Sequence, residues 1–258
     1  SLEPHRTMLR TNILKTDAEE LSRLLLKENI STSPDDEVQQ CLRVSGAIDI
    51  NKSKLYKDGY YTIQNINSMR AALILEPQSG ETVIDVCAAP GGKTTHIAEL
   101  MENKGRVIAF DIHRHKLELI EKSAGRLGIT CIEVRENNSE KTVESLIGKA
   151  DRVLTDVPCS GIGVIHKKPD IKFNRREEDI GILCGIQRNI LNSAAEYVRP
   201  GGVLVYSTCT ILKDENSEQI ERFLKEHNDF EREFEKLYLA HETGGSGFYI
   251  CRMKKSAE

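Results

Sequence analysis

Two hydrophobic regimes divide this chain. From residue 80 onward, short continuous apolar runs alternate with stretches of helical periodicity. Thr82–Val86, Arg106–Phe110, Ile132–Val134, Val153–Asp156 and Val203–Ser207 have the length and apolar density of strands buried on both faces. Between them, Thr94–Met101, Lys116–Leu127, Ile180–Val198 and Glu215–His227 predict helices, with a short one over Val143–Ile147. Leu117, Ile120, Ala124 and Leu127 recur on one side of their helix, and Gly128 stops it. The long helix is closed by Arg199-Pro200-Gly201-Gly202, and Phe230–Phe234 and Phe248–Met253 predict the last two strands. This alternation predicts an α/β domain, a parallel sheet with helices on both faces.

Residues 1–60 follow another pattern. Met8–Leu14 reads as a strand, and Thr16 as a helix cap, with Glu19 completing a capping box. Leu21, Leu24, Leu25 and Leu26 form that helix's apolar face. Ser31–Asp36 reads as a polar turn, Cys41–Val44 as a weak strand and Lys52–Gly59 as a linker. The expected organisation is a small α+β subdomain over 1–60 and the α/β domain over 61–258.

Composition narrows the function classes. The net charge of −4 gives no global nucleic-acid signal, so any RNA or DNA contact must use a local patch. Seven cysteines (41, 87, 131, 159, 184, 209, 251) are an odd number without a CxxC pair. A chain of this size builds a core without disulfides, so reduced thiols, a cytoplasmic location and a monomer are expected. No apolar run approaches the roughly 18–20 residues that span a bilayer, and the first residues are polar, so neither membrane nor signal peptide is expected. The chain begins Ser1-Leu2-Glu3 without an initiator Met, as a piece cut from a longer protein would. The seven histidines show no ligand spacing, so no metal is expected.

The candidate chemistry sits at predicted strand ends, where open α/β sheets bind ligands. Asp85-Val86-Cys87-Ala88-Ala89-Pro90-Gly91-Gly92-Lys93-Thr94-Thr95 joins the first strand to its helix. Small residues there admit a ligand close to the backbone, and the helix start offers free N–H groups. A triphosphate loop would need Gly five residues before Gly92, where this chain has Cys87, and Gly161-Ile162-Gly163 lacks the third glycine of a dinucleotide fingerprint. What remains fits a compact nucleoside. Asp111, about twenty residues on, is placed to bind ribose hydroxyls, and loop and acid together point to S-adenosylmethionine. Two cysteines occupy matched settings: Pro158-Cys159-Ser160-Gly161 follows one apolar run, and Ser207-Thr208-Cys209-Thr210 another.

Asp85–Thr95, Thr155–Gly163, Lys168-Pro169-Asp170-Ile171-Lys172 and Gly201–Thr210 followed by Glu215-Asn216 together resemble the Sun/Fmu (RsmB-type) family of RNA cytosine-5 methyltransferases, over roughly residues 60–258. Arg10–Thr16 also resembles the family's small N-terminal RNA-binding subdomain. The resemblance implies a seven-stranded Rossmann-like methyltransferase fold whose last strand is antiparallel. It implies that Cys87, Ala88, Ala89, Pro90, Gly91, Gly92 and Lys93 line the S-adenosylmethionine site, with Asp156 bordering it, and that Asp111 holds the ribose. Where the family carries an adenine-contacting Asp, this chain has Asn138, with Asn137 a one-residue alternative. Cys209 is implied as the nucleophile, Cys159 as the thiol that assists release, and Asp156 as the group on the cytosine N3/N4 edge. An unperturbed thiol is only about 3% ionised at pH 7, so Lys93 or a helix N-terminus must help lower its pKa. Cys41, Cys131, Cys184 and Cys251 are expected to be buried as small hydrophobes.

The densest basic stretch, His166–Arg176, follows the Cys159 loop. Lys167, Lys168, Lys172, Arg175 and Arg176 suit phosphate contacts and Phe173 suits base stacking, with Arg10 and Lys15 extending the track. The expected partner is RNA, by resemblance ribosomal. The alternatives are an RNA-binding ribosome-assembly factor with dispensable catalysis, and cytosine-5 methylation of tRNA or DNA.

Overall fold

The structure is a computed structural model describing residues 7–165, 171, 176–243 and 245–257. A small antiparallel sheet comes first: β1 (Met8–Thr11), β2 (Ser31–Pro34), β3 (Cys41–Ser45) and β4 (Tyr61–Ile63), in the order β2-β3-β1-β4. Helices α1 (Ala18–Lys27) and α2 (Lys54–Lys57) belong to the same segment. The helix α3 (Ile66–Leu75) follows.

The larger unit runs β5 (Thr82–Asp85), α4 (Gly92–Leu100), β6 (Arg106–Asp111), α5 (Arg114–Leu127), β7 (Ile132–Glu136), β8 (Ala150–Asp156), α6 (Glu177–Tyr197), β9 (Val198–Thr208), α7 (Ser217–Glu226), β10 (Phe230–Tyr238), α8 (Ala240–Thr243) and β11 (Phe248–Lys255). Its seven strands lie in the order β10-β11-β9-β8-β5-β6-β7. Strands β5 to β9 pair in parallel, and β11 inserts antiparallel to both β9 and β10. This is the Rossmann-like methyltransferase arrangement with one reversed strand.

The continuous apolar runs are explained by two faces that are both covered. Ile84, Ile108, Phe110, Val153, Leu204 and Tyr206 point to one side, packed with Ile190 and Leu191 of α6 and Phe223 of α7. Their sequence neighbours Val83, Val107, Leu154, Val203 and Val205 point to the other, packed with Leu75 of α3, Ile97 of α4 and Leu127 of α5. Each buried aliphatic of this kind contributes roughly 1.5–3 kcal/mol.

Several expectations for the front segment are corrected. Asp17, not Thr16, caps α1, its Oδ1 accepting from the Glu20 N–H at 2.8 Å. A carboxylate at the positive end of a helix outcompetes a hydroxyl one residue earlier. Ser31–Pro34 is the edge strand of the small sheet rather than a turn. Its residues read as a turn because an edge strand with no buried side chain carries no apolar alternation. The expected linker holds α2, capped by Ser53, and the small sheet extends to Ile63, past residue 60. Helix α3 was not expected at all. Seven of its ten residues are buried, so it lacks the one-sided stripe that marks a surface helix.

Arg10 is also reassigned. It is fully buried, donating to Glu99 Oε1 at 2.7 Å, Thr95 Oγ1 at 3.0 Å and the Gly92 carbonyl at 2.5 Å. It therefore clamps the small sheet onto the first turns of α4 and is not available to an RNA backbone. Arg126 of α5 completes the joint, donating to the Tyr56 and Tyr61 carbonyls and stacking over the Tyr56 ring. Lys15 remains exposed, its ammonium donating to the Asp58 carbonyl at 2.6 Å.

Candidate active site

The site is assembled at the carboxyl ends of β5, β6, β8 and β9. Beyond β5 the chain turns sharply: the Ala88 N–H donates to the Phe110 carbonyl and the Gly91 N–H to the Ala88 carbonyl, both at 2.8 Å. Gly91 has φ +101°, and a Cβ there would sit 3.1 Å from Ile120. Only glycine lets the chain enter α4 at this point. The first helical N–H groups of α4 then face the loop.

Asp85 anchors the loop from beneath. It is buried, its Oδ2 accepts from Thr94 Oγ1 at 2.7 Å, and its Oδ1 has no partner among the described residues. Burial pushes its pKa up to about 7, against the Thr94 hydrogen bond. A cavity of about 230 Å³ opens here, its walls including Asp85, Cys87, Pro90, Lys93, Asp156 and Gln64. The side-chain amide nitrogens of Gln64 and its neighbour Asn65 are buried donors without partners among the described residues, and both residues line the same cavity. A space with orphaned donors and an orphaned carboxylate oxygen on its lining residues is built for a polar ligand.

Asp156, at the end of β8, is held from two sides. Lys93 Nζ donates to its Oδ2 at 2.6 Å, and Ser207 Oγ of β9 to its Oδ1 at 2.8 Å. The pair is only partly buried, with side chains 12% and 27% exposed. The Lys93 ammonium also sits 5.3 Å from the Phe248 ring centre.

The two cysteines meet. Cys159 Sγ and Cys209 Sγ lie 3.0 Å apart as free thiols, and the Cys209 N–H donates to Cys159 Sγ at 3.3 Å. Gly163 makes the approach possible: its N–H donates to the Cys209 carbonyl at 3.0 Å, and a Cβ there would stand 2.2 Å from the Gly247 carbonyl oxygen. The hydrogen bond from Cys159 draws the Cys209 pKa down and Lys93 adds to it, against burial and the Asp156 charge. The same bond and burial push Cys159 well up. The two neighbouring sulfurs thus shift in opposite directions, Cys209 down and Cys159 up.

These loops, their spacing and the sheet they sit on match the family described as 16S rRNA methyltransferase RsmB/F over residues 72–252. The chain belongs to the RsmB/F family. It is 40% identical to a probable ribosomal RNA small subunit methyltransferase B of Bacillus subtilis, over 98% of this chain and 61% of that protein. It is 37% identical to the ribosomal RNA small subunit methyltransferase B of Proteus mirabilis, over 96% of this chain and 58% of that protein. The chain thus spans about three fifths of the length of these relatives. Among solved structures, a methyltransferase homolog protein from Pyrococcus horikoshii superimposes with a TM-score of 0.86 at 28% identity, covering 98% of this chain and 87% of that one.

The other positions implied by the RsmB/F resemblance fall as follows. Asp111 ends β6, its Oδ1 accepting from the His113 N–H at 2.9 Å. The loop after β7 lies beside it: the Asn137 N–H donates to the Asp111 carbonyl at 3.1 Å, and Asn138 Oδ1 accepts from the Glu140 N–H. Ser139, buried next to Asn138, donates to the Val86 carbonyl and so ties this loop to the Cys87 loop. Of the basic stretch, Lys167, Lys168, Lys172 and Arg175 lie outside the described residues, as does Phe173. Arg176 is exposed at the start of α6. Cys41 and Cys251 are buried as expected, their thiols pushed up to about 12 by burial. Cys131, just ahead of β7, and Cys184, on α6, are only partly buried. A sheet edge and a helix flank leave them less covered than a central strand would.

Five residues of the site carry no assignment from the sequence: Gln64, Asn65, Ser160, Gln187 and Glu215. Asn65 had a signal, since Asn before an apolar run is a helix cap, and its Oδ1 does accept from the Asn67 N–H. Glu215 belongs to one of the family motifs, yet nothing in its sequence setting shows that it is fully buried.

Proposed function

We propose that this chain is the catalytic part of an S-adenosylmethionine-dependent RNA cytosine-C5 methyltransferase acting on ribosomal RNA. The observation that supports this most is the juxtaposed Cys159–Cys209 thiol pair beside the Lys93–Asp156 ion pair. Cytosine C5 is a poor nucleophile, and a thiol at C6 is the standard covalent remedy. The cavity beside the Cys87–Lys93 loop, with its unpartnered Asp85 oxygen, fits the cofactor's polar amino-acid end, and Asp111 its ribose. Bound there, S-adenosylmethionine supplies an electrophilic methyl group on a positively charged sulfur.

The chain's own residues do the rest. Cys209 thiolate adds to C6, and the C5–C6 electron pair shifts toward C5. Asp156 hydrogen-bonds the N3/N4 edge and favours protonation as the ring loses aromaticity. Lys93 holds Asp156 in place and favours the thiolate by its charge. After C5 has gained its methyl group, the C5 proton passes to water, the C5–C6 double bond reforms and the C6–sulfur bond breaks. Cys159, its sulfur 3.0 Å from that of Cys209, then donates a hydrogen bond that stabilises the departing thiolate. A flipped or unpaired cytosine is required to reach this chemistry. Arg176 and the basic stretch before it supply the phosphate contacts.

Incubation with ribosomal RNA and methyl-labelled cofactor, followed by bisulfite mapping, tests the proposal. Methylation at a defined cytosine is expected, and Cys209→Ala should lose at least about 10³-fold in rate while still binding cofactor. Full activity in that variant would refute the mechanism. Preferential methylation of tRNA or DNA would refute the substrate.

A further inference from the structure

The two cysteine loops are anchored by two consecutive residues, Glu215 and Asn216, which sit just ahead of α7. Asn216 serves the Cys209 side: Oδ1 accepts from Thr208 Oγ1 at 2.6 Å and Nδ2 donates to the Thr210 carbonyl at 3.1 Å. Glu215 serves the Cys159 side: Oε1 accepts from the Ser160 N–H at 2.8 Å and Oε2 from the Ser160 hydroxyl at 2.5 Å. Gln187 of α6 closes the frame, donating to Glu215 Oε1 at 2.8 Å and to the Pro158 carbonyl at 3.0 Å. Ser160 Oγ also lies 2.9 Å from Thr210 Oγ1, so the two loops are bonded across the gap. The Glu215 backbone is pinned by Tyr206 OH, which donates to its carbonyl at 2.7 Å.

Glu215 is 0% exposed, and the donors that reach its carboxylate from Ser160 and Gln187 are all neutral. Burying a carboxylate on neutral donors is costly. What the carboxylate provides is two acceptor oxygens in one plane, gripping both the backbone and the side chain of the residue next to Cys159. With Ser160 fixed at two points, Cys159 has little freedom to turn its sulfur away from Cys209.

We propose that Glu215 is a positioning residue for Cys159: its buried carboxylate sets the Pro158–Gly161 loop so that the Cys159 thiol faces the Cys209 sulfur during release of the methylated base. This rests on the two-thiol reading above. It predicts that loss of Glu215 slows breakdown of the RNA adduct more than its formation, the step carried by Cys209.

Denaturing gels that resolve protein–RNA adducts, run beside turnover assays, test this on the full chain. Cys159→Ala is the reference and should accumulate adduct. Glu215→Ala should also accumulate adduct while turnover falls about 10²-fold, the cost of a misplacement near 1 Å. Glu215→Gln should stay within about threefold of the wild type, because its amide oxygen keeps two donors and its nitrogen can donate to Ser160 Oγ. Ser160→Ala keeps the carboxylate and removes one grip, so it carries the test if Glu215→Ala does not fold; its adduct fraction should rise at least about threefold. Adduct in Cys159→Ala but none in folded Glu215→Ala, or an unchanged adduct fraction in Ser160→Ala, overturns the positioning role alone. No adduct in Cys159→Ala overturns the two-thiol reading and this proposal with it.

Discussion

The Cys159 and Cys209 loops begin alike, yet their thiols shift in opposite directions. Both follow core strands, β8 and β9, which pair in parallel, so both sulfurs emerge at the same edge of the sheet. Their surroundings differ in the reach of the Lys93 charge, which acts on Cys209. The hydrogen bond shared with Cys159 lowers the Cys209 pKa, and the Lys93 charge adds to it. The same bond, and then burial, raise Cys159, against the backbone N–H groups that reach its sulfur. Similar sequence settings therefore carry opposite shifts, set first by the hydrogen bond the two sulfurs share and, at Cys209, reinforced by Lys93 of α4.

That comparison can be broken at the support of α4. Arg10→Ala leaves Glu99 buried without its cation and releases the Gly92 carbonyl beside Lys93. Urea unfolding should show a loss of about 3–5 kcal/mol, the usual cost of stranding a buried charge. A loss below about 1 kcal/mol would show that the small sheet does not hold the helix in this way.

The comparison is sharpened by Lys93→Met, which removes the cation and keeps the stem. The Cys209 pKa should rise, so the limb of the pH–rate profile set by thiolate formation moves to higher pH. Near pH 7 the rate should fall about tenfold, a shift of one pKa unit. An unmoved profile would place the source of activation elsewhere.

A third test concerns Asp85. Its folded pKa, about 7, lies above the unfolded value near 4. The folded state binds the proton more tightly, so the resulting stability is present below pH 4 and lost as pH rises through 7. In Asp85→Asn this decline should disappear, flattening stability against pH by up to about 1.4 kcal/mol per unit between pH 4 and 7. An equal decline in both proteins would remove Asp85 as its source.

The parallel sheet was legible because residues such as Val83 and Ile84 are both buried, and two covered faces write unbroken apolar runs. Helix α3 was hidden for the same reason, a helix buried on most sides having no stripe to read. The glycine loop and both cysteines could be placed from motif spacing and strand ends. Arg10 could not: a lone arginine in a basic-looking front segment reads as surface, and only the tertiary contact with Glu99, 89 positions away, shows it is internal. Glu215 illustrates the same limit, since its meaning depends on Ser160 and Gln187 arriving from two other elements.

The central claim is that Cys209 attacks and Cys159 releases. The most direct measurement is to incubate Cys159→Ala with its RNA and cofactor, digest the trapped complex and locate the nucleotide by mass spectrometry. The account predicts a cytosine joined to the peptide carrying Cys209. A nucleotide on any other cysteine, such as Cys87 in the neighbouring loop, or normal turnover with Cys209 never modified, would contradict it.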